Sequence, residues 1–207
     1  LKFDMRKYYK INRNYSLAAR LMLGKSVGDK PQKFFLGGNS QMMIFSDTQT
    51  EGRDDSGFYA QRVLDYDNTN ILEDVYFSEY VFPLRGARYR ERVGENVAVA
   101  NFEFRFPFVN YVDVSFPARI RFGNIFGHLF VDVGAAWDSS EEFDNSELVR
   151  NKYGLSDPKA SPILTTFGIG TKIFTPFALI RIDTAWDKYP SGGYSKPQYI
   201  ISFGYDW

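Results

Sequence analysis

The sequence predicts an all-β chain forming part of a transmembrane antiparallel β-barrel, on three observations. Apolar residues alternate with polar or small ones through seven segments of about ten residues, the pattern of a wall with one face in lipid and the other in water. Aromatic residues make up 18 % of the chain, with 20 Phe and 14 Tyr, and many rings stand near segment ends. Short and long connections fall on opposite sides of the segments, and the long ones are polar and rich in Gly, Pro, Asn, Asp and Ser.

In segment 1–11, Leu1, Phe3, Met5, Tyr9 and Ile11 face one way and Lys2, Asp4, Arg6, Tyr8 and Lys10 the other, with Lys7 as the exception on the apolar side. Asn12-Arg13-Asn14 reads as a tight turn. In 15–25, Tyr15, Leu17, Ala19, Leu21 and Leu23 oppose Ser16, Ala18, Arg20, Met22 and Gly24. After the long connection 26–96, segment 97–108 sets Ala98, Ala100, Phe102, Phe104, Phe106 and Phe108 against Val97, Val99, Asn101, Glu103 and Arg105. The connection 109–127 is too long for the side on which it falls, and Val114 to Ile120 is a candidate extension of a flanking strand.

Segment 128–137 opposes Leu129, Val131, Val133, Ala135 and Trp137 to His128, Phe130, Asp132, Gly134 and Ala136. Beyond the polar connection 138–162, segment 163–173 opposes Ile163, Thr165, Phe167, Ile169 and Ile173 to Leu164, Thr166, Gly168, Gly170 and Lys172. Thr175-Pro176-Phe177 reads as a second tight turn before segment 178–186, where Ala178, Ile180, Ile182 and Trp186 oppose Leu179, Arg181, Asp183 and Ala185. The connection 187–198 precedes 199–207, which sets Tyr199, Ile201, Phe203, Tyr205 and Trp207 against Ile200, Ser202, Gly204 and Asp206.

A soluble sandwich also alternates. Charged residues on the second faces (Arg20, Glu103, Arg105, Asp132, Lys172, Arg181, Asp183) suit a wet lumen instead. Rings at Tyr15, Phe108, Trp137, Phe174, Trp186 and Trp207 suit an interfacial girdle. Seven is an odd number, whereas single-chain bacterial barrels have an even one, so strands upstream of this chain are expected. With no basic or apolar leader at Leu1, the chain reads as a piece of a longer one that carries those strands and any periplasmic domains. On this parity the carboxyl terminus is expected in the periplasm and the long connections outside the cell.

Composition narrows the chemistry. Twenty-five Lys and Arg against 25 Asp and Glu give no polyanion-binding surplus, so nucleic acid is not an expected partner. No uninterrupted apolar run exceeds four residues, which excludes membrane helices of about twenty residues but not barrel strands of about 9–11. The absence of Cys and the single His128 remove thiol catalysis, disulfides and multi-histidine metal sites. No cofactor or metal is expected.

Two short motifs bracket the 26–96 connection: Phe34-Phe35-Leu36-Gly37-Gly38 near its start and Pro83-Leu84-Arg85-Gly86-Ala87 near its end. They are followed in order by Asn101-Phe102-Glu103-Phe104-Arg105-Phe106-Pro107, Phe130-Val131-Asp132-Val133-Gly134-Ala135-Ala136-Trp137, Phe167-Gly168-Ile169-Gly170 and Ile180-Arg181-Ile182-Asp183. This order resembles the carboxyl-terminal barrel of the bacterial surface antigen superfamily, the family of the outer-membrane assembly factors BamA and TamA, over essentially the whole chain. The resemblance implies an outer-membrane barrel of about sixteen strands in all, acting in insertion of other barrel proteins or passage of polypeptides, and not an enzyme. It also implies that the loop 26–96 folds back into the lumen, with Arg85 meeting Glu103 and Asp132 and with Leu84, Gly86 and Phe130 beside them. The alternation independently puts both acids on polar faces of consecutive segments, where one planar guanidinium can serve both.

Alternatives remain at this level. Arg85 is otherwise a surface-loop arginine, with Glu103 and Asp132 as solvated lumen residues. Gly37 and Gly38 are otherwise a plain hairpin turn; a phosphate cradle fails because no GK[ST] follows. Acidic residues Asp47, Glu51, Asp54, Asp55, Asp65 and Asp67 fit no EF-hand spacing and read as solvated loop. Glu103 beside Asp132, or Arg181 with Asp183, lacks the nucleophile or metal set that acid/base chemistry would need.

The alternating aromatics of the last segment resemble the carboxyl-terminal signal that barrel assembly machinery reads by strand pairing, at the seam where the final strand meets the first. The 45 residues between Gly38 and Leu84 depart from the family pattern, and most resemble a subgroup whose barrel follows a propeller-like domain. That departure keeps open a structural outer-membrane anchor, or a component of a larger surface complex, without insertase activity. Expected partners are outer-membrane lipid and either nascent outer-membrane proteins or other subunits.

Overall fold

The structure is a computed structural model that describes residues 1–29, 31–38, 42–43, 79–88, 91–114, 120–174 and 179–204. In chain order the strands are β1 (Lys2–Lys10), β2 (Ser16–Lys25), β3 (Phe34–Leu36), β4 (Met42–Met43), β5 (Glu79–Phe82), β6 (Arg92–Gly94), β7 (Asn96–Val114), β8 (Ile120–Trp137), β9 (Ile163–Phe174), β10 (Leu179–Lys188) and β11 (Gln198–Gly204). All seven long strands correspond to the seven alternating segments. They pair antiparallel in the order β1-β2-β7-β8-β9-β10-β11, and β4 adds to the outer edge of β11 through Ser202↔Met43 and Phe203↔Met42. The sheet is open, ending at β1 and β4. β5, β3 and β6 form a separate small sheet drawn wholly from the long connection.

One expectation is corrected. Residues 109–127 are not a long connection: β7 and β8 run through them as a continuous ladder from Asn96↔Trp137 to Val114↔Ile120. The register shifts between Pro107↔Phe126 and Val109↔Ile125, so one extra residue flips the parity of the strand beyond it. Alternation read along a single strand breaks at such a bulge. With these bounds, 11–15, 115–119 and 175–178 are short connections on one edge of the sheet, and 26–95, 138–162 and 189–197 are long ones on the other. At the first short turn the Asn12 side chain accepts from the Asn14 and Tyr15 amides at 2.9 and 3.0 Å.

The two faces of the sheet differ as the alternation requires. Phe102 is 56 % exposed while its neighbour Glu103 is 2 % exposed and Asp132 is 0 %. Leu17, Leu129, Val131, Ile169 and Ile182 share the exposed face; Asn101, Thr166, Lys172, Asp183 and Ser202 are buried on the other. An apolar exposed face with a charged interior is the reverse of a soluble sandwich and the arrangement a lipid environment favours. Rings cluster along the edge of short connections, where Tyr15 stacks on Phe104 at 5.9 Å and Phe126 meets Phe174 edge-on at 5.9 Å. On the opposite edge Phe167 stacks on Trp186 at 5.8 Å and Trp137 meets Phe143 at 5.2 Å.

The small sheet packs on the buried face. Phe34, Leu36, Phe82 and Leu84 join Met22, Val97, Val99, Ala136 and Leu164 in one apolar cluster. Gly134 of β8 makes the approach possible, because a Cβ there would sit 3.0 Å from Leu36 and 3.2 Å from Leu84.

Connection 138–162 folds more than its composition suggested. After a single 3-10 turn (Ser140–Phe143), helix α1 (Ser146–Tyr153) starts at Asn145, whose side chain accepts from the Glu147 amide at 3.0 Å, and stops at Gly154 with φ 62°. Eight residues are too few for an isolated helix. Val149 and Tyr153 anchor it against Phe35, Val93 and Ala160. The Tyr153 hydroxyl donates to the Val93 carbonyl at 2.8 Å and accepts from the Val93 amide at 3.2 Å, tying α1 to the free edge of β6. Burial pushes the Tyr153 phenol above its ordinary pKa, so it remains a donor at neutral pH. Tyr153→Phe leaves both Val93 groups unpaired and is expected to weaken this docking by about 1–3 kcal/mol. Faster amide hydrogen exchange at Val93, with exchange in β8 unchanged, is the expected readout.

Candidate functional site

The two motifs of the long connection come together although they are far apart in sequence. β3 pairs parallel with β5, the Gly37 amide donates to Phe82 O at 3.2 Å, and the Leu84 amide donates to Gly38 O at 3.0 Å. Gly37 and Gly38 both have positive φ, 113° and 84°, which non-glycine residues rarely adopt. Their partners, Phe82 and Leu84, come from the far end of the connection, so the two glycines are not a plain hairpin turn. Immediately beyond Leu84 the chain turns back, with Gly86 at φ 81° and so close to β10 that a Cβ would stand 2.7 Å from the Ala185 Cβ.

That turn aims Arg85 into the buried face of the sheet. Its Nε and Nη2 donate to Asp132 Oδ2 and Oδ1, both at 2.7 Å, and Nη1 donates to Glu103 Oε2 at 3.0 Å. The guanidinium carbon lies 3.8 Å from the centre of the Phe130 ring. Side-chain exposure is 5 % for Arg85 and 0 % for both acids, so the surface-loop alternative for Arg85 does not hold. The fork and the cation over a ring face each exploit the planar guanidinium, which an ammonium could not reproduce.

The two acids are not equivalent. Glu103 also accepts from Arg105 Nε at 2.6 Å and from Lys172 Nζ. Asp132, among the described residues, has Arg85 alone as its charged partner. A second group lies alongside: His128 Nε2 is 2.8 Å from Asp183 Oδ1, and Arg181 Nε is 3.0 Å from Asp183 Oδ2. Both His128 and Asp183 are fully buried and lie in contact. On the wall Arg105 and Lys172 thus pair with Glu103 and Arg181 with Asp183, and Arg85 from the loop is the cation that Asp132 meets.

The Phe-Gly-Ile-Gly segment of β9 makes room for this. A Cβ at Gly168 would stand 2.5 Å from Phe130 Cζ, and one at Gly170 would stand 2.6 Å from His128 Cε1 and strike Asp183. Sequence reasoning placed Arg105, Lys172, Arg181, Asp183 and His128 on or beside the lumenal face but not in this network. Which of them meet depends on cross-strand register, such as Glu103↔Phe130 and His128↔Gly170, which alternation within a strand does not reveal.

The other singled-out residues stand as follows. Leu84 is fully buried beside Leu36 and Gly134. In β11 Tyr199 is exposed, Ile201 and Phe203 are half-buried on the same face, and Ile200 and Ser202 are buried on the other. Tyr205, Trp207 and the acidic positions Asp47, Glu51, Asp54, Asp55, Asp65 and Asp67 lie outside the described residues. Among the described residues no cluster of three or more His, Asp or Glu could hold a metal ion. No described helix is long and apolar enough to cross a membrane, which leaves strand-based spanning open.

The chain matches the Omp85 superfamily domain over residues 1–206. No curated protein matches the chain.

Proposed function

From the premise that this chain belongs to the Omp85 superfamily, we propose that it is the carboxyl-terminal part of an outer-membrane barrel that inserts or assembles other outer-membrane proteins, or passes polypeptides across. The short connections then face the periplasm, with the carboxyl terminus, and the long connections face outward. Residues 26–96 fold from outside into the lumen, and Arg85 is the pin that holds them there. The observation that supports this reading best is the buried contact of Arg85 with Asp132, Glu103 and Phe130, which joins the loop to two wall strands at once. An inward loop fixed in this way argues against an open diffusion pore, and a single-channel conductance trace tests that directly.

A second reading, an anchor or component of a surface complex without insertase activity, is favoured by the folded cap that α1 builds on the same edge as the loop. Depleting the protein in its own cell separates the two. General loss of other barrel proteins from the outer membrane supports assembly; loss of a single surface complex with other barrels intact overturns it in favour of the anchor.

A further inference from the structure

Among the described residues, Lys7 of β1 is a cation on the apolar face away from the edge of long connections, where Lys25 and Lys188 also stand. Lys7 of β1 shares that face with Phe3, Met5 and Tyr9, stands in register with Ala19, and makes no ion pair or hydrogen bond among the described residues. It borders a groove of about 470 Å³ floored by Ala19 and walled by Tyr9, Phe102, Leu129 and Val131. The groove exists because Ala19 is small between bulky cross-strand neighbours, Lys7↔Ala19↔Phe102↔Val131. Its volume is that of small-molecule sites, which pair an apolar lining with a few polar groups that fix orientation.

A lysine at the middle of a lipid-facing barrel wall is costly, and one near the interface is close to neutral. Lys7 is three residues from the β1 end on the edge of short connections, about 10 Å along the strand. With a strand tilt near 45° that is a depth of about 7 Å, within reach of a stem that runs along the wall and releases its ammonium at the headgroup level. Tyr15 stacked on Phe104 marks the same boundary.

We propose that this groove is a binding site for an anionic glycerophospholipid, its phosphate on the Lys7 ammonium and an acyl chain in the groove over Ala19. An ammonium beside a groove lined almost wholly by apolar side chains, with Glu103 turned to the other face, selects a molecule with one anion and a long alkyl chain. The assignment to a phospholipid rests on the orientation given above, which puts this edge of the wall in the periplasmic leaflet.

The test is native mass spectrometry of the full-length protein released from detergent, with added phosphatidylglycerol or phosphatidylcholine of the same chains. The wild type is expected to retain phosphatidylglycerol with a preference on the order of fivefold. Lys7→Gln is expected to abolish the preference and leave phosphatidylcholine retention unchanged, Lys7→Arg to keep it, and Ala19→Trp to remove tight binding of both lipids. Unchanged heat-modifiability shows that each variant is folded. Persistence of the preference in Lys7→Gln, undiminished binding in Ala19→Trp, or a co-retained polypeptide in place of lipid overturns the proposal. Headgroup preference in this assay depends on neither leaflet nor clients, so failure of the depletion experiment leaves it standing, and its own failure leaves the assembly role standing.

Discussion

Arg85→Ala is expected to destabilise the loop-plugged state by about 3–5 kcal/mol, the cost of leaving a buried charge without its partner. The magnitude follows from Asp132, fully buried and bonded through both oxygens to this one side chain. Glu103 contributes less, because Arg105 and Lys172 remain beside it. The asymmetry makes the prediction specific. Asp132→Asn added to Arg85→Ala is expected to recover a large part of the loss by removing the orphaned charge, whereas Glu103→Gln added to Arg85→Ala recovers little and strands Lys172. Arg85→Lys is expected to fall nearer to Arg85→Ala than to wild type, since an ammonium cannot make two parallel bonds to Asp132 and lie flat on Phe130. Heat-modifiability of the full-length barrel on gels, read as the temperature of conversion to the slow form, checks all four. Conversion of Arg85→Ala at the wild-type temperature would mean that Arg85 is wet and worth under about 1 kcal/mol.

Gly168→Leu is the second large effect, although it changes a residue of the wall and not of the loop. The added side chain occupies the space of the Phe130 ring, and the backbone of β10 beside it cannot yield. Phe130 is the surface on which the guanidinium lies, so its displacement disturbs the ion pairs as well as the packing. Overpacking alone costs about 1–3 kcal/mol, and the shift of Arg85 adds to it. Ile169→Leu, one residue along on the exposed face of the same strand, is expected to be close to neutral. Equal conversion temperatures for Gly168→Leu and Ile169→Leu would show that Phe130 has other room and is not seated by Gly168.

These predictions depend on features that differ in how plainly the sequence displays them. The wall was legible because two environments act on alternate residues of each strand, and Phe102-Glu103-Phe104-Arg105 records both. The inward placement of Glu103 and Asp132 follows from that parity. The 106–114 stretch was not legible, because the bulge after Pro107 shifts the parity and a period-two pattern has no means of absorbing an extra residue. Helix α1 was overlooked for a different reason. Its amphipathic stretch is too short to establish a period, and its signals are the end caps Asn145 and Gly154, residue types equally common in loops. The meeting of Gly38 with Leu84, and of Lys172 with Glu103, depends on tertiary register. The order of motifs implies the Arg85 contacts and strand parity puts Glu103 and Asp132 on one face, whereas the balance of charges around them depends on cross-strand register.

The central claim is that Arg85 keeps the loop folded against the buried face of the wall, and Ala87 reports on it most directly. Ala87 is 4 % exposed, two residues beyond Arg85, and is replaced by Cys with little change in volume in a chain that otherwise has none. Labelling of Ala87→Cys with a membrane-impermeant maleimide, in the full-length protein in intact cells, is predicted to be negligible while Arg85 is present and rapid when Arg85→Ala is added. Equal labelling rates with and without Arg85 would contradict the account.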